Sequence, residues 1–164
     1  IPKGVVGLVS KRYIAGETLE QAVAMCKDLY TQGALCTIDH LGEAVSSTEE
    51  VEETVKIYLQ VLDAIAEHQL NSTISIKPTA FGAVLSEEFC FDNIHKVVKR
   101  AAELNNLVTI DMENHPYTDF TLNTYERLRQ EFPQHIGTVL QAYLKRTSDD
   151  ASKFSKAIFE SYRN

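Results

Sequence analysis

Short apolar runs alternate with longer stretches of helical periodicity along this 164-residue chain. Four runs end in a polar residue: Ala34-Leu35-Cys36-Thr37-Ile38-Asp39, Thr73-Ile74-Ser75-Ile76-Lys77, Leu107-Val108-Thr109-Ile110-Asp111 and Thr138-Val139-Leu140-Gln141. Each is too short for a helix and rich in β-branched residues, which predicts a buried strand. Their last residues, Asp39, Lys77, Asp111 and Gln141, recur at intervals of 38, 34 and 30 positions, so the chain reads as a repeated unit.

Helical patterns fill the gaps. Thr18-Leu19-Glu20-Gln21 is a capping box that opens a helix running to about Gln32, where Gly33 supplies the stop. Ser47-Thr48-Glu49-Glu50 repeats the signature, and Val51, Val55, Tyr58, Leu62 and Ile65 follow as one apolar stripe. Ser86-Glu87-Glu88 opens a third helix carrying Ile94, Val97, Val98, Ala101 and Leu104. Thr118-Asp119 opens a fourth, ended before Pro133, and Ser148-Asp149-Asp150 opens a last one through Phe154, Ile158 and Tyr162.

A helix followed by four strand–helix units predicts an α/β fold with a parallel sheet. No GxGxxG follows the first strand, which argues against a dinucleotide-binding fold. An open flavodoxin-like sheet and a (β/α)8 TIM-type barrel remain. A whole barrel takes ~250 residues, and no fifth strand pattern is present. Residues 1–164 therefore read as one domain: an N-terminal helix and the first four β/α units, about half of a barrel.

Composition narrows the function classes. The chain is 44% hydrophobic and 24% charged, with few glycines and prolines, as in ordinary globular proteins. A net charge of −7 disfavours nucleic acid as a partner. Cys26, Cys36 and Cys90 are odd in number and widely spaced, so they read as buried thiols in a reducing compartment. No apolar stretch approaches the ~20 residues of a membrane helix. None of the five histidines forms an i,i+4 pair, so no metal is expected. Tyr13, Phe89, Phe91 and Phe120 read as packing residues. The chain opens Ile1-Pro2-Lys3, without Met, so Ile1 is not expected to be the start of the gene product.

The strand ends carry the candidate chemistry. Alternate side chains share a face, which groups Thr37 with Asp39, Ser75 with Lys77, Thr109 with Asp111 and Glu113, and Gln141 with Tyr143. If this polar set faces the barrel interior, Lys77 projects at the C-terminal mouth, where such barrels place active sites. Sequential strands lie about 4.8 Å apart, so Lys77 falls between Asp39 and Asp111. At about 4 Å and an effective dielectric near 20, each attraction is about 4 kcal/mol before desolvation is subtracted. The competing reading is an ion-pair network that only fixes strand register. Glu43, four residues past Asp39, is either a solvated loop charge or a gate that pairs with a substrate-binding cation.

At these residues the chain resembles the proline dehydrogenase family. The resembling segments are Lys11 to Glu20, Thr37-Ile38-Asp39-His40-Leu41-Gly42-Glu43, Ile74-Ser75-Ile76-Lys77, Thr109-Ile110-Asp111-Met112-Glu113, Tyr117-Thr118-Asp119 and Val139-Leu140-Gln141-Ala142-Tyr143-Leu144. They stand in the family's order and approximate spacing. The resemblance implies a distorted (β/α)8 barrel with FAD at its C-terminal face, oxidation of L-proline to 1-pyrroline-5-carboxylate, and electrons passed to a quinone. It implies that Lys77 binds the substrate carboxylate and that Asp111 and Asp39 complete the active site. Glu43 would pair with a substrate-binding arginine, and Met112 and Gln141 would contact the flavin. It also implies a cytoplasmic bacterial enzyme in peripheral contact with the inner membrane, or a mitochondrial one.

The chain departs from the family pattern in places. Pro78 stands where an apolar residue such as leucine is expected, and His115-Pro116 replaces a small polar pair. The family's fifth-strand Lys-Gly-Ala-Tyr segment, a later flavin-contacting histidine segment and a terminal Arg-Arg pair have no match. The expectation is that these 164 residues are part of a proline dehydrogenase that, alone, holds FAD poorly and turns over no proline. Two other readings stand beside this one. In the first, Lys77 forms a Schiff base, as in a class I aldolase-like lyase. In the second, the chain is a non-catalytic half-barrel that associates through its open edges.

Overall fold

A computed structural model describes residues 15–161. The elements follow in the order α1 (Leu19–Thr31), β1 (Cys36–Ile38), α2 (Thr48–Glu67), β2 (Ser72–Ile76), α3 (Glu87–Glu103), β3 (Val108–Ile110), α4 (Thr118–Glu131), β4 (Ile136–Thr138) and α5 (Thr147–Ser161). Short 3₁₀ turns at Pro78–Phe81 and His115–Tyr117 precede α3 and α4. Tyr13 and Tyr162, expected to pack, lie outside the described residues, as do residues 11–14 of the first resembling segment.

The helix starts form where their caps predict. Thr18, Ser47 and Ser86 each accept from the backbone N–H three residues on. Gln21 reaches back to the N–H of Glu17, one residue earlier than the reciprocal capping-box bond. Gly33 ends α1 with φ of 81°, a left-handed conformation that glycine adopts without a steric cost.

The four strands are parallel and adjacent in sequence order, β1-β2-β3-β4. The helices pack on one face, where Ile74, Ile76, Val108 and Ile110 are fully buried against Leu62, Ile94, Val97, Val98 and Leu128. Burying each such side chain is worth ~1.5–3 kcal/mol. The opposite face carries Thr37, Thr73, Ser75 and Thr109, small polar side chains as expected for a barrel interior, and Thr37 and Thr73 hydrogen-bond at 3.1 Å. Consecutive parallel β/α units with one apolar and one polar face are half of a TIM-type barrel.

Each strand stops short of its expected polar end, by one residue in β1, β2 and β3 and by three in β4. β1 stops at Ile38 because Asp39 turns to Lys77 and the His40 N–H leaves the ladder for the Tyr58 hydroxyl. β4 spans Ile136–Thr138 rather than Thr138–Gln141. Ile136 is its buried anchor opposite Val108, and Gly137 weakened the strand signal there. The departures at Pro78 and Pro116 both fall within 3₁₀ turns, where a missing N–H costs nothing.

Candidate active site

The C-terminal ends of the strands bring the predicted charges together. Lys77 Nζ lies 2.6 Å from Asp39 Oδ2 and 3.6 Å from Asp111 Oδ2. The lysine side chain is 18% exposed, and the two carboxylates are about one-third exposed, so the cluster opens to the mouth. Register explains the placement. Ile76 pairs with Ile110, so Lys77 and Asp111 leave their strands at the same level, whereas Ile38 pairs with Ile74, so Lys77 stands two residues above the level of Asp39, which turns out of β1 to meet it.

Electrostatics follow from this geometry. Desolvation opposes the Lys77 charge, but the hydrogen bond and charge of Asp39, the charge of Asp111 and that of Glu43 outweigh it and raise the ammonium above the ordinary lysine value. Burial pushes the Asp111 carboxyl up; Lys77 offsets part of this and the negative Asp39 adds to it. A Schiff-base lysine needs the opposite arrangement, one that releases a neutral amine. The acids around Lys77 therefore disfavour the aldolase-like reading.

Tyr58 was not anticipated as a site residue. It belongs to the apolar stripe of α2 and is 1% exposed, yet its hydroxyl donates to Asp39 Oδ1 at 2.9 Å and accepts from the His40 N–H at 3.1 Å. Burial, followed by the Asp39 charge, raises its pKa, so it stays a donor. Its ring packs on Phe81 with centroids 5.3 Å apart. A buried tyrosine needs a partner for its hydroxyl, which is the signal that the stripe alone conceals.

The other predicted residues occupy distinct positions. Glu43 is exposed on the loop after β1 and makes no direct ion pair with Lys77, although its charge reaches it. Glu113 does not join the inward set. Its carboxylate crosses to Thr79, accepting from the backbone N–H at 2.7 Å and from the hydroxyl at 2.6 Å. Gln141 is exposed at the mouth, and its Nε2 donates to the Met112 carbonyl at 3.2 Å. The Met112 side chain is buried in the core. Cys90 is a buried thiol donating to the Pro78 carbonyl, and burial pushes its pKa up. Among the described residues, no group of three His, Cys, Asp or Glu side chains could hold a metal ion.

Comparison with known proteins places the chain in a family. The family model described as Proline dehydrogenase matches residues 22–160. Proline dehydrogenase 1 of Bacillus subtilis (strain 168) is 40% identical over 146 residues, covering 89% of this chain and 48% of that protein. Proline dehydrogenase of Deinococcus radiodurans is 30% identical, covering 87% of this chain and 47% of that protein. The chain thus spans about half the length of the curated relatives it matches. A crystal structure of proline utilization A from Bdellovibrio bacteriovorus, inactivated by N-propargylglycine, shares the fold. Its TM-score is 0.84 at 24% identity, over 94% of this chain and 19% of that one. The chain belongs to the proline dehydrogenase family.

Proposed function

We propose that the complete protein oxidises L-proline to 1-pyrroline-5-carboxylate, with FAD as its redox cofactor and a quinone as electron acceptor. The observation that carries this reading is Lys77 held between Asp39 and Asp111 at the mouth of a proline dehydrogenase-family sheet. Proline presents a carboxylate and an amine. An ammonium with three donors, two of them directed at acids, retains one for the substrate carboxylate. Asp111 and Asp39 hold that ammonium charged and in place, and they set a negative field beside the amine end of the substrate. Glu43, on the loop above, pairs with a further substrate-binding cation.

The residues present fit FAD. The inner sheet face carries small side chains, and Gln141 at the rim has donor and acceptor capacity beyond its bond to Met112. Leu41 and Tyr143 expose apolar surface on mouth loops that a bound ring system would cover. Gln141 would hydrogen-bond the flavin ring, and Met112, whose side chain is buried in the core, would act on the flavin site through its carbonyl, which orients the Gln141 amide. FAD supplies, when bound, the two-electron acceptor that the side chains themselves lack. The protein's part is to orient the substrate and exclude water.

Among the described residues, no helix is long and apolar enough to cross a membrane. As a separate part of the proposal, quinone access comes from peripheral contact of a bacterial cytoplasmic enzyme with the inner membrane. The test is to reconstitute the full-length protein with FAD and follow proline-dependent reduction of a dye while trapping the pyrroline product. The proposal expects both signals together. A fully flavinated protein that is inert toward proline, or a Lys77 adduct trapped by borohydride with a carbonyl substrate, would refute it.

A further inference from the structure

Three loops at the mouth converge on Thr79, a residue with no part in the charged cluster. Its N–H and hydroxyl both donate to Glu113, to Oε2 at 2.7 Å and Oε1 at 2.6 Å. Because the hydroxyl proton is committed to Glu113, the Thr79 oxygen is left as an acceptor, and it takes the Ala44 N–H at 3.1 Å. The Thr79 carbonyl then takes the Val45 N–H at 3.2 Å. Thr79 is buried. The loop after β3 thus grips the turn after β2, which grips the loop after β1 immediately beyond Glu43.

The gripped loop needs holding. Ala44 sits at φ of 53°, a left-handed conformation that a non-glycine residue keeps only when its surroundings impose it. Glu43 makes no direct ion pair among the described residues, and its charge nonetheless reaches Lys77. Its position therefore depends on the backbone that carries it. A carboxylate accepts both Thr79 hydrogens, whereas an amide can accept only through one of its two terminal atoms. This explains an acid at position 113 rather than a neutral isostere.

We infer that Glu113 and Thr79 are positioning residues: they clamp the loop bearing Glu43 at the mouth and so set how tightly the mouth holds its amino-acid substrate. The inference rests on the proposed proline oxidation for its kinetic arm alone. Thr79→Val removes the hydroxyl at nearly constant volume, Thr79→Ser restores it, and Glu113→Gln breaks the clamp from the other side.

The experiment uses the full-length flavinated protein. Amide exchange in the peptide containing Ala44 and Val45 is expected to rise about tenfold or more in T79V and E113Q and to stay near wild type in T79S. The KM for proline is expected to rise about fivefold with kcat within about twofold, T79S again matching wild type. If the clamp acts through Glu43, adding T79V to E43A changes KM by less than about twofold. Unchanged exchange in T79V and E113Q overturns the clamp. Raised exchange with unchanged KM, or a T79V effect that multiplies on top of E43A, overturns its link to Glu43. E113Q carries the test if T79V does not fold. A wild-type protein inert toward proline refutes the proposed function instead, and exchange alone then decides the clamp.

Discussion

The Tyr58 hydroxyl donates to Asp39 Oδ1 at 2.9 Å, so a side chain buried under α2 fixes a charge at the open mouth. The other oxygen of the same carboxylate takes Lys77. Asp39 is thereby held from two sides, and the residue that presents it is 19 positions away on another element. Tyr58→Phe removes the donor to Asp39 and also leaves the half-buried His40 N–H without its acceptor. Loss of this pair of bonds is expected to cost about 1–3 kcal/mol in unfolding free energy. Urea denaturation of wild type and variant measures it. A change near zero would mean that water replaces the hydroxyl.

Much of this arrangement was legible in the sequence. The polar ends of the strand runs placed Asp39, Lys77 and Asp111 side by side because parallel neighbours in sequence order leave little freedom of register. The caps at Thr18, Ser47 and Ser86 fixed the helix starts. What escaped was the reach of long side chains across elements. Tyr58 obeys the apolar stripe of α2, and periodicity cannot reveal that its hydroxyl leaves the core. Glu113 obeys strand alternation with Asp111, but the chain has left the strand by then, and a 3₁₀ turn offers it two donors. β4 was displaced because Gly137 hides a strand whose anchor is Ile136.

The two key ionisable groups shift in the same direction with different consequences for stability. Asp111 has a folded pKa raised above the ordinary 3.8, so its charged form is disfavoured by the fold, and protonation relieves that penalty. As pH falls from neutral toward 3.8, wild type is expected to gain stability relative to Asp111→Asn. Lys77 is also raised, so its contribution is complete below 10.5 and is lost as pH rises through its folded value. Denaturation at stepped pH checks both limbs. A pH-independent difference between wild type and D111N would contradict the first.

Thr121 on α4 is fully buried, and its hydroxyl has no hydrogen-bond partner among the described residues. Thr121→Val keeps the shape and the β-branch while removing the unsatisfied group. The variant is expected to be more stable by about 1 kcal/mol. A raised thermal midpoint would show this, whereas a lowered one would reveal a partner for the hydroxyl.

The most direct test of Lys77 as the substrate anchor is an anaerobic proline titration of the flavin absorbance in full-length wild type and Lys77→Met. Proline should bleach the wild-type flavin, and K77M, at equal flavin content, should need at least about tenfold more proline for half-bleaching, as expected when a charge-assisted contact to a carboxylate is lost. Superimposable titrations of the two proteins would contradict the assignment of Lys77, and a wild-type flavin that proline leaves oxidised would contradict the proposed reaction itself.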